Sequence, residues 1–456
     1  AGYPTPLPED RQIPVNVEKT GSLVRFSNGL IEIEFDMSGQ DPGPSSARLP
    51  GGKNMIDSAW LYKLLSFKDT QAQSIIERVW FQKIHGVPLN KALQWELGES
   101  SDNQAEMVCR YPGGADFPLE WEFHYVLRRG DSGFYSFMSV RNVTGGELPE
   151  STTTRGEGSI GMVNQLVAPT WDLFDTAVLH DNFKWPASFN KGTDFSLYPD
   201  IYQATYRMPD GEVDAKHEGS NHELNSPVTG YSGSHGGFWQ ILPSLEFCGA
   251  FWPWDQRTSV NHNMFVLALE NKYFVPISVR ITAGWEKLYG PIFYYLNKGE
   301  NTEEMWADAK RQAASEEADW PYQWLDHKGF HQRGTVTGTL RISGTQSAEG
   351  AWALLALPDD DIPENIEFGE WWRDVGSYHY HADVEEDGSF EISDVRSGSY
   401  DLFIWHEGIY GEYRRQGLSV KGGERLEVGE CVLAQRDTGH LLWQIGDPNR
   451  TMTEFK

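Results

Sequence analysis

Lys216 lies among three carboxylates. The decapeptide GEVDAKHEGS, residues 211–220, sets Glu212, Asp214 and Glu218 at every second position around it. In an extended chain these four charges share one face, with Val213, Ala215 and His217 on the other. Three chemistries fit that face. One is a solvated ladder of cross-strand ion pairs, each worth under about 1 kcal/mol. A second is a set of oxygen ligands for a metal, which the lysine's own cation opposes. The third is a catalytic lysine. A free lysine titrates near about 10.4, and neighbouring carboxylates hold it higher. To act as a base, Lys216 therefore needs burial or nearby cations; if it stays protonated, it neutralises an anionic substrate instead.

Aromatic residues supply a second chemistry, stacking against sugar faces. GYSGSHGGFWQ offers Tyr231 and His235, and GAFWPWDQ offers Trp252 and Trp254 on either side of Pro253. Proline interrupts regular strand pairing, so these two indoles are expected on a loop, where a sugar can reach them. Trp239, between the strand formers Phe238 and Ile241, reads as core. Trp371 and Trp372 are a further candidate pair, with at least one of them expected in a core.

These residues must be positioned by β structure. Runs such as LVRFSNGLIEIEF, LEWEFHYVL, GFYSFMSVRNV, GGFWQILPS, NMFVLAL and FVPISVRIT alternate with turn clusters from Leu23 to about Tyr295, the pattern of a large antiparallel sandwich or barrel. The one helix expected begins at Asn301-Thr-Glu-Glu, with Thr302 as cap, and runs over 302–319 until Pro321. Strands then resume at GTVTGTLRI, AWALLAL, GSFEISDV, GSYDLFIW and ERLEVGECVL, giving a smaller β-sandwich. The domains read as 1–327, 328–437 and the start of a third at 438–456. Asp359–Glu370 holds six acids and no base; lacking the spacing of a calcium loop, it reads as a solvated segment.

Composition narrows the function classes. Against 38 Lys and Arg stand 66 Asp and Glu, a formal charge of -28, which repels nucleic acid and anionic membranes. No apolar run is long enough to span a bilayer. Cys109, Cys248 and Cys431 are odd in number and widely spaced, so neither a disulfide framework nor a cysteine metal site is indicated. The opening AGYPTPLPEDRQIP lacks a signal peptide and reads as a mature end left after cleavage. Asn142-Val-Thr and Asn449-Arg-Thr fit the glycosylation sequon. Secretion as a monomer is the resulting expectation.

Several strings together give the chain a family resemblance: GEVDAK at 211–216, GFWQILPSLEF at 237–247, WEKLYGPIFYYLN at 285–297, ADWPY, GTVTGTL, DGSFEISDVRSGSYDLFIW at 387–405 and LLWQIGDPNRTMTEF at the end. In this order they resemble the rhamnogalacturonan lyases of polysaccharide lyase family 4. The resemblance implies a mostly β protein. A large N-terminal galactose-mutarotase-like β-sandwich carries the active site, a fibronectin-type-III-like domain follows, and a C-terminal carbohydrate-binding jelly roll begins where this chain stops. It implies β-elimination in an acidic plant cell-wall polysaccharide, with no redox or nucleotide cofactor; calcium is not indicated.

The resemblance assigns Lys216 the position of the family's catalytic lysine. Superposition through SVNHNMFVLALENKYFVPISV puts Lys272 where the family has a histidine, with Tyr273 beside it and His262 ten residues earlier. SIGMVNQLVAP shows Asn164 and Gln165 where the family carries a uronate-binding arginine, which leaves Arg155, Arg257 or Arg280 to take that part. Lys272 and Tyr273 also read as a polar turn after an apolar strand. These departures keep open a different uronate polymer, a non-catalytic carbohydrate-binding protein, and a glycoside hydrolase. The last needs two opposed carboxylates, whereas Glu212 and Glu218 on one strand stand about 20 Å apart.

Overall fold

The computed structural model describes the chain outside residues 1–8, 40, 66, 69–74, 77–78, 82–92, 113–118, 144, 147–158, 161, 182, 187–204, 208–212, 216–226, 249–257, 262–263, 272–278, 281, 345–346, 357–377, 410, 436–438 and 447–456. It is mostly β, and it divides into two compact units: residues 1–244 with 256–318, and residues 245–255 with 319–456.

The first unit is built on a nine-stranded antiparallel sheet. Across it run Phe183–Pro186, Thr176–His180, Val228–Gly233, Gly236–Ile241, Glu286–Asn297, Gly133–Asn142, Leu119–Arg128, Gln104–Tyr111 and Gln94–Ser100. Alternation in sequence fixes its faces: in Gln104–Tyr111, Ala105, Met107, Cys109 and Tyr111 are buried while their neighbours are half-buried. On one face, called inner here, Tyr125 packs against Phe35 of a four-stranded sheet formed by Asn16–Thr20, Leu23–Ser27, Glu32–Asp36 and Ser46–Arg48. A five-stranded sheet of Thr258–Asn261, Met264–Asn271, Met162–Pro169, Ile56–Leu65 and Val79–Phe81 meets the same face, where Gln165 Nε2 donates to Ser136 Oγ at 3.2 Å. The predicted sandwich is therefore present.

The helix Thr302–Asp319 lies on the outer face, with Trp306 against Trp239 at 5.5 Å and Asp308 accepting from the Tyr295 hydroxyl at 2.6 Å. Its cap is Asn301 rather than the expected Thr302. The Glu304 N–H donates to Asn301 Oδ1 at 3.0 Å, and Glu304 Oε2 accepts from the Glu300 N–H at 2.7 Å, a reciprocal capping arrangement. Thr302 instead meets Ser232 through its hydroxyl.

The second unit is a sandwich of two sheets. One contains Ser389–Arg396, Arg333–Ile342 and Arg425–Leu433, the last two parallel; the other contains Tyr380–Asp383, Ala351–Ala356, Gly398–His406 and Tyr413–Val420. Val336, Leu355, Phe390, Tyr400, Ile404 and Leu418 fill its core. Residues 319–327, placed with the first domain from sequence, group with this unit; within it the Trp320 ring meets those of Tyr322 and Phe330, each at 5.4 Å. Glu246 binds here too. It accepts two hydrogen bonds from Arg333, at 2.7 and 3.0 Å, and one from Arg396 at 2.7 Å. Burial pushes its carboxyl up, but the two guanidiniums outweigh that and hold it below its ordinary range.

Candidate functional site

The strand Glu286–Asn297 organises the candidate site, because its side chains change phase halfway along. Its register with Gly133–Asn142 shifts between Ser136 and Met138, where Gly290-Pro291 forms a bulge opposite Phe137. Gly290 has φ +101, and a Cβ there would meet Ser136 O at 3.0 Å and Phe137 Cβ at 3.1 Å, so glycine is required. Through this bulge Lys287 and Tyr289 share the inner face with Ile292 and Tyr294. Directly opposed residues confirm it: Lys287 pairs with Val140 and Val140 with Trp121, while Tyr289 pairs with Met138 and Met138 with Phe123.

Lys287 is 1% exposed. Its ammonium lies over the Tyr289 ring, 4.7 Å from the centroid. Trp121, Phe123, Met138 and Val140 make the surrounding inner face apolar. Sequence reading passed over this lysine although WEKLYGPIFYYLN was in view. The available signal was a single cation inside an otherwise apolar strand, two residues from a tyrosine.

A run of pairings ties Lys287 to other candidates. Asn271, the residue before Lys272 and Tyr273, pairs with Met162. Two residues back from Met162, Ile160 pairs with Val279, and Ser159 pairs with Arg280. Thr282 then accepts from Asn142 Nδ2 at 2.9 Å, two residues beyond Val140, the partner of Lys287. Backbone register thus brings the end of Met264–Asn271, the Val279–Arg280 strand and the start of Glu286–Asn297 to one end of the first unit. Asn142 is 8% exposed and also donates to Gly146 O at 2.7 Å, so this sequon asparagine is committed to packing.

Other predicted residues fall elsewhere. Tyr231 is wholly buried with its ring against Phe174 at 5.9 Å, and burial pushes its phenol well above the ordinary value. It belongs to the core rather than to a sugar-facing surface, because the period of Val228–Gly233 turns it inward. His235 sits in the turn between Val228–Gly233 and Gly236–Ile241, two residues before Gly237, which pairs with Asn297. That is the far end of the strand from Lys287, about 30 Å away along it. Trp239 is core as expected, with Nε1 donating to Asn297 Oδ1 at 2.8 Å. Gln165, in the segment where the resemblance led us to expect an arginine, is 1% exposed and donates to Ser136 Oγ.

Lys216 directly follows the short strand Val213–Ala215, which pairs with Thr205–Arg207 in a two-stranded ribbon. The extended reading of GEVDAK therefore holds for the backbone of 213–215. Lys216 itself lies outside the described residues. So do Arg155, Trp252, Trp254, Arg257, His262, Lys272, Tyr273, the second sequon and the acidic segment with Trp371 and Trp372. Among the described residues no group of three or more His, Cys, Asp or Glu could hold a metal ion. The three cysteines are buried.

Comparison with known proteins adds an independent line. The family model described as polysaccharide lyase family 4, domain II, matches residues 348–428, inside the second unit. A rhamnogalacturonate lyase of Dickeya dadantii is 29% identical over 451 residues, covering 97% of this chain and 70% of that protein. The chain is thus similar to polysaccharide lyase family 4 in its second unit and to a rhamnogalacturonate lyase over nearly its whole length. Rhamnogalacturonate lyase B of Emericella nidulans is 24% identical over 372 residues, covering 76% of this chain and 52% of that protein. Among solved structures, a galactose mutarotase-like protein from Lactobacillus casei aligns over 62% of this chain and 100% of its own, at 9% identity and TM-score 0.33. The alignment with the Dickeya protein takes in 97% of the chain.

Proposed function

We propose that this protein is a secreted lyase that cleaves an acidic polysaccharide of rhamnogalacturonan type by β-elimination. The observation that carries the reading is similarity to a rhamnogalacturonate lyase over 97% of the chain. In the reaction the proton on C5 of the uronate leaves to a base. Its electron pair forms the C4–C5 double bond, the C4–O bond breaks, and the departing sugar oxygen takes up a proton. Charge building on the carboxylate in the transition state must be met by a cation. Lys216 takes the C5 proton, and Lys272 and Tyr273 serve the carboxylate and the leaving oxygen.

The charge balance gives those few cations their importance. A protein of formal charge -28 repels a polyanion at long range, so binding depends on local positive groups in a sheltered site. Incubation with rhamnogalacturonan should produce the ultraviolet absorbance of an unsaturated uronate in step with new chain ends. New reducing ends without that absorbance would mean hydrolysis. Retention on the polymer with neither signal would mean a non-catalytic carbohydrate-binding protein, which would account for the missing family arginine and histidine.

A further inference from the structure

We infer that Glu246 is the latch of a strap: a short segment, carried in the middle of the first unit's sequence, that completes the second unit and makes its stability depend on residues 245–248. Residues 245–255 belong to the second unit, although 1–244 before them and 256–318 after them belong to the first. A sandwich that began at residue 319 or 328 would therefore lack part of itself.

Two arginines show why the strap is needed. Arg333 opens the strand Arg333–Ile342, Arg396 closes the strand Ser389–Arg396, and the two are direct partners in the antiparallel register. Like charges directly opposite one another destabilise a sheet, and here both side chains are buried, at 5% and 6% exposure. Aromatic rings and carbonyls surround them without neutralising them. The Phe330 centroid lies 4.7 Å from the Arg333 guanidinium and 4.9 Å from that of Arg396, Tyr378 lies 4.0 Å from Arg396, and the Phe330 and Asp394 carbonyls accept from Arg333. A carboxylate supplies the missing charge. Glu246 takes Arg333 with both oxygens, at 2.7 and 3.0 Å, and its Oε1 also accepts from Arg396 Nε at 2.7 Å. The strap's backbone is fixed as well. The His379 N–H donates to the Glu246 carbonyl at 3.0 Å, the Cys248 N–H donates to Leu245 O at 3.0 Å, and Phe247 is wholly buried. Removing the acid from such a triad leaves buried cations facing each other, which costs far more than a surface pair.

Amide exchange of the whole chain in rising denaturant tests the strap, because it reports which segments open together. In wild type the Cys248 amide should open in step with those of Ser389–Arg396, although Gly236–Ile241 is nearer in sequence. Glu246→Gln should accelerate exchange at Cys248 and in Ser389–Arg396 about 10²- to 10³-fold, with Gln104–Tyr111 accelerated far less. Arg396→Met alone should accelerate the same amides, and adding it to Glu246→Gln should add little, because the two act through one interaction. Where Glu246→Gln does not fold, Glu246→Asp, which keeps the charge on a shorter stem, carries the same comparisons. Cys248 opening ahead of Ser389–Arg396 in step with Gly236–Ile241 would overturn the inference. So would unchanged exchange in the Glu246 variant, acceleration shared equally with Gln104–Tyr111, or effects of the two substitutions that simply multiply.

Discussion

The two faces of the nine-stranded sheet carry charge in opposite ways. On the outer face, Glu120 binds Arg141, Glu122 binds Arg110 at 2.6 Å, and His124 Nδ1 meets Glu106 at 2.7 Å. These groups range from buried Glu120 to exposed Arg141, and each cation there faces an acid. The inner face is built of Trp121, Phe123, Tyr125, Met138 and Tyr289, with Lys287 as a cation over an aromatic ring. Charge on the outer face thus serves the fold through cross-strand ion pairs, whereas the inner face relies on aromatic and aliphatic packing.

The largest expected effect breaks the inner face. Phe123→Ala should lower stability by about 3–5 kcal/mol, since Phe123 is wholly buried and its neighbours cannot close the cavity. Denaturant unfolding measures it. Next, Gly290→Ala strains a residue at φ +101 and crowds Ser136 O, at a cost of about 1–3 kcal/mol.

On the outer face a pH dependence should appear. Burial lowers the His124 pKa, but hydrogen bonding to Glu106 and attraction from Glu106 and Glu122 outweigh it, leaving a net rise. His124 Nε2, 3.7 Å away, and then Arg110 hold Glu122 down at about 2, against the opposing effect of burial. A raised histidine stabilises fully below its unfolded pKa, and that stabilisation is lost as pH rises through the folded value. Melting temperature should therefore fall more steeply above about pH 6.5 in wild type than in His124→Gln. The depressed Glu122 acts in the other direction, its contribution being lost as pH falls from its unfolded value towards about 2. The smallest effect belongs to the Glu120–Arg141 pair, whose arginine side chain is 52% exposed. Arg141→Gln should cost no more than about 1 kcal/mol by unfolding.

Strand runs such as LEWEFHYVL and GFYSFMSVRN were legible because one face alternates apolar residues against charge, and the second sandwich was legible from its DG and SG turns. Tyr413–Val420 was not: YRRQGLSV is exposed at most positions and carries little apolar period. Nor does sequence show which way WEKLYGPIFYYLN faces, because strict period two puts Lys287 with Phe293 and Tyr295. The bulge instead moves those two rings to the outer face, where Tyr295 meets the helix and Phe293 packs on Tyr135 at 4.6 Å. Tyr231, expected to stack on sugar, instead sits in a hairpin whose strands Val228–Gly233 and Gly236–Ile241 are buried throughout. The family resemblance rested on strings after residue 205, while the pairings that gather Lys287, Arg280 and the end of Met264–Asn271 are long-range and leave no local pattern.

The most direct test of the lyase account is the initial rate of unsaturated uronate formation from rhamnogalacturonan by wild type and by Lys216→Ala. A lysine acting as the base predicts measurable product from wild type and a fall of about 10²- to 10⁴-fold in the variant, with melting temperature unchanged. Equal rates from the two proteins, or no unsaturated product from wild type, would contradict it.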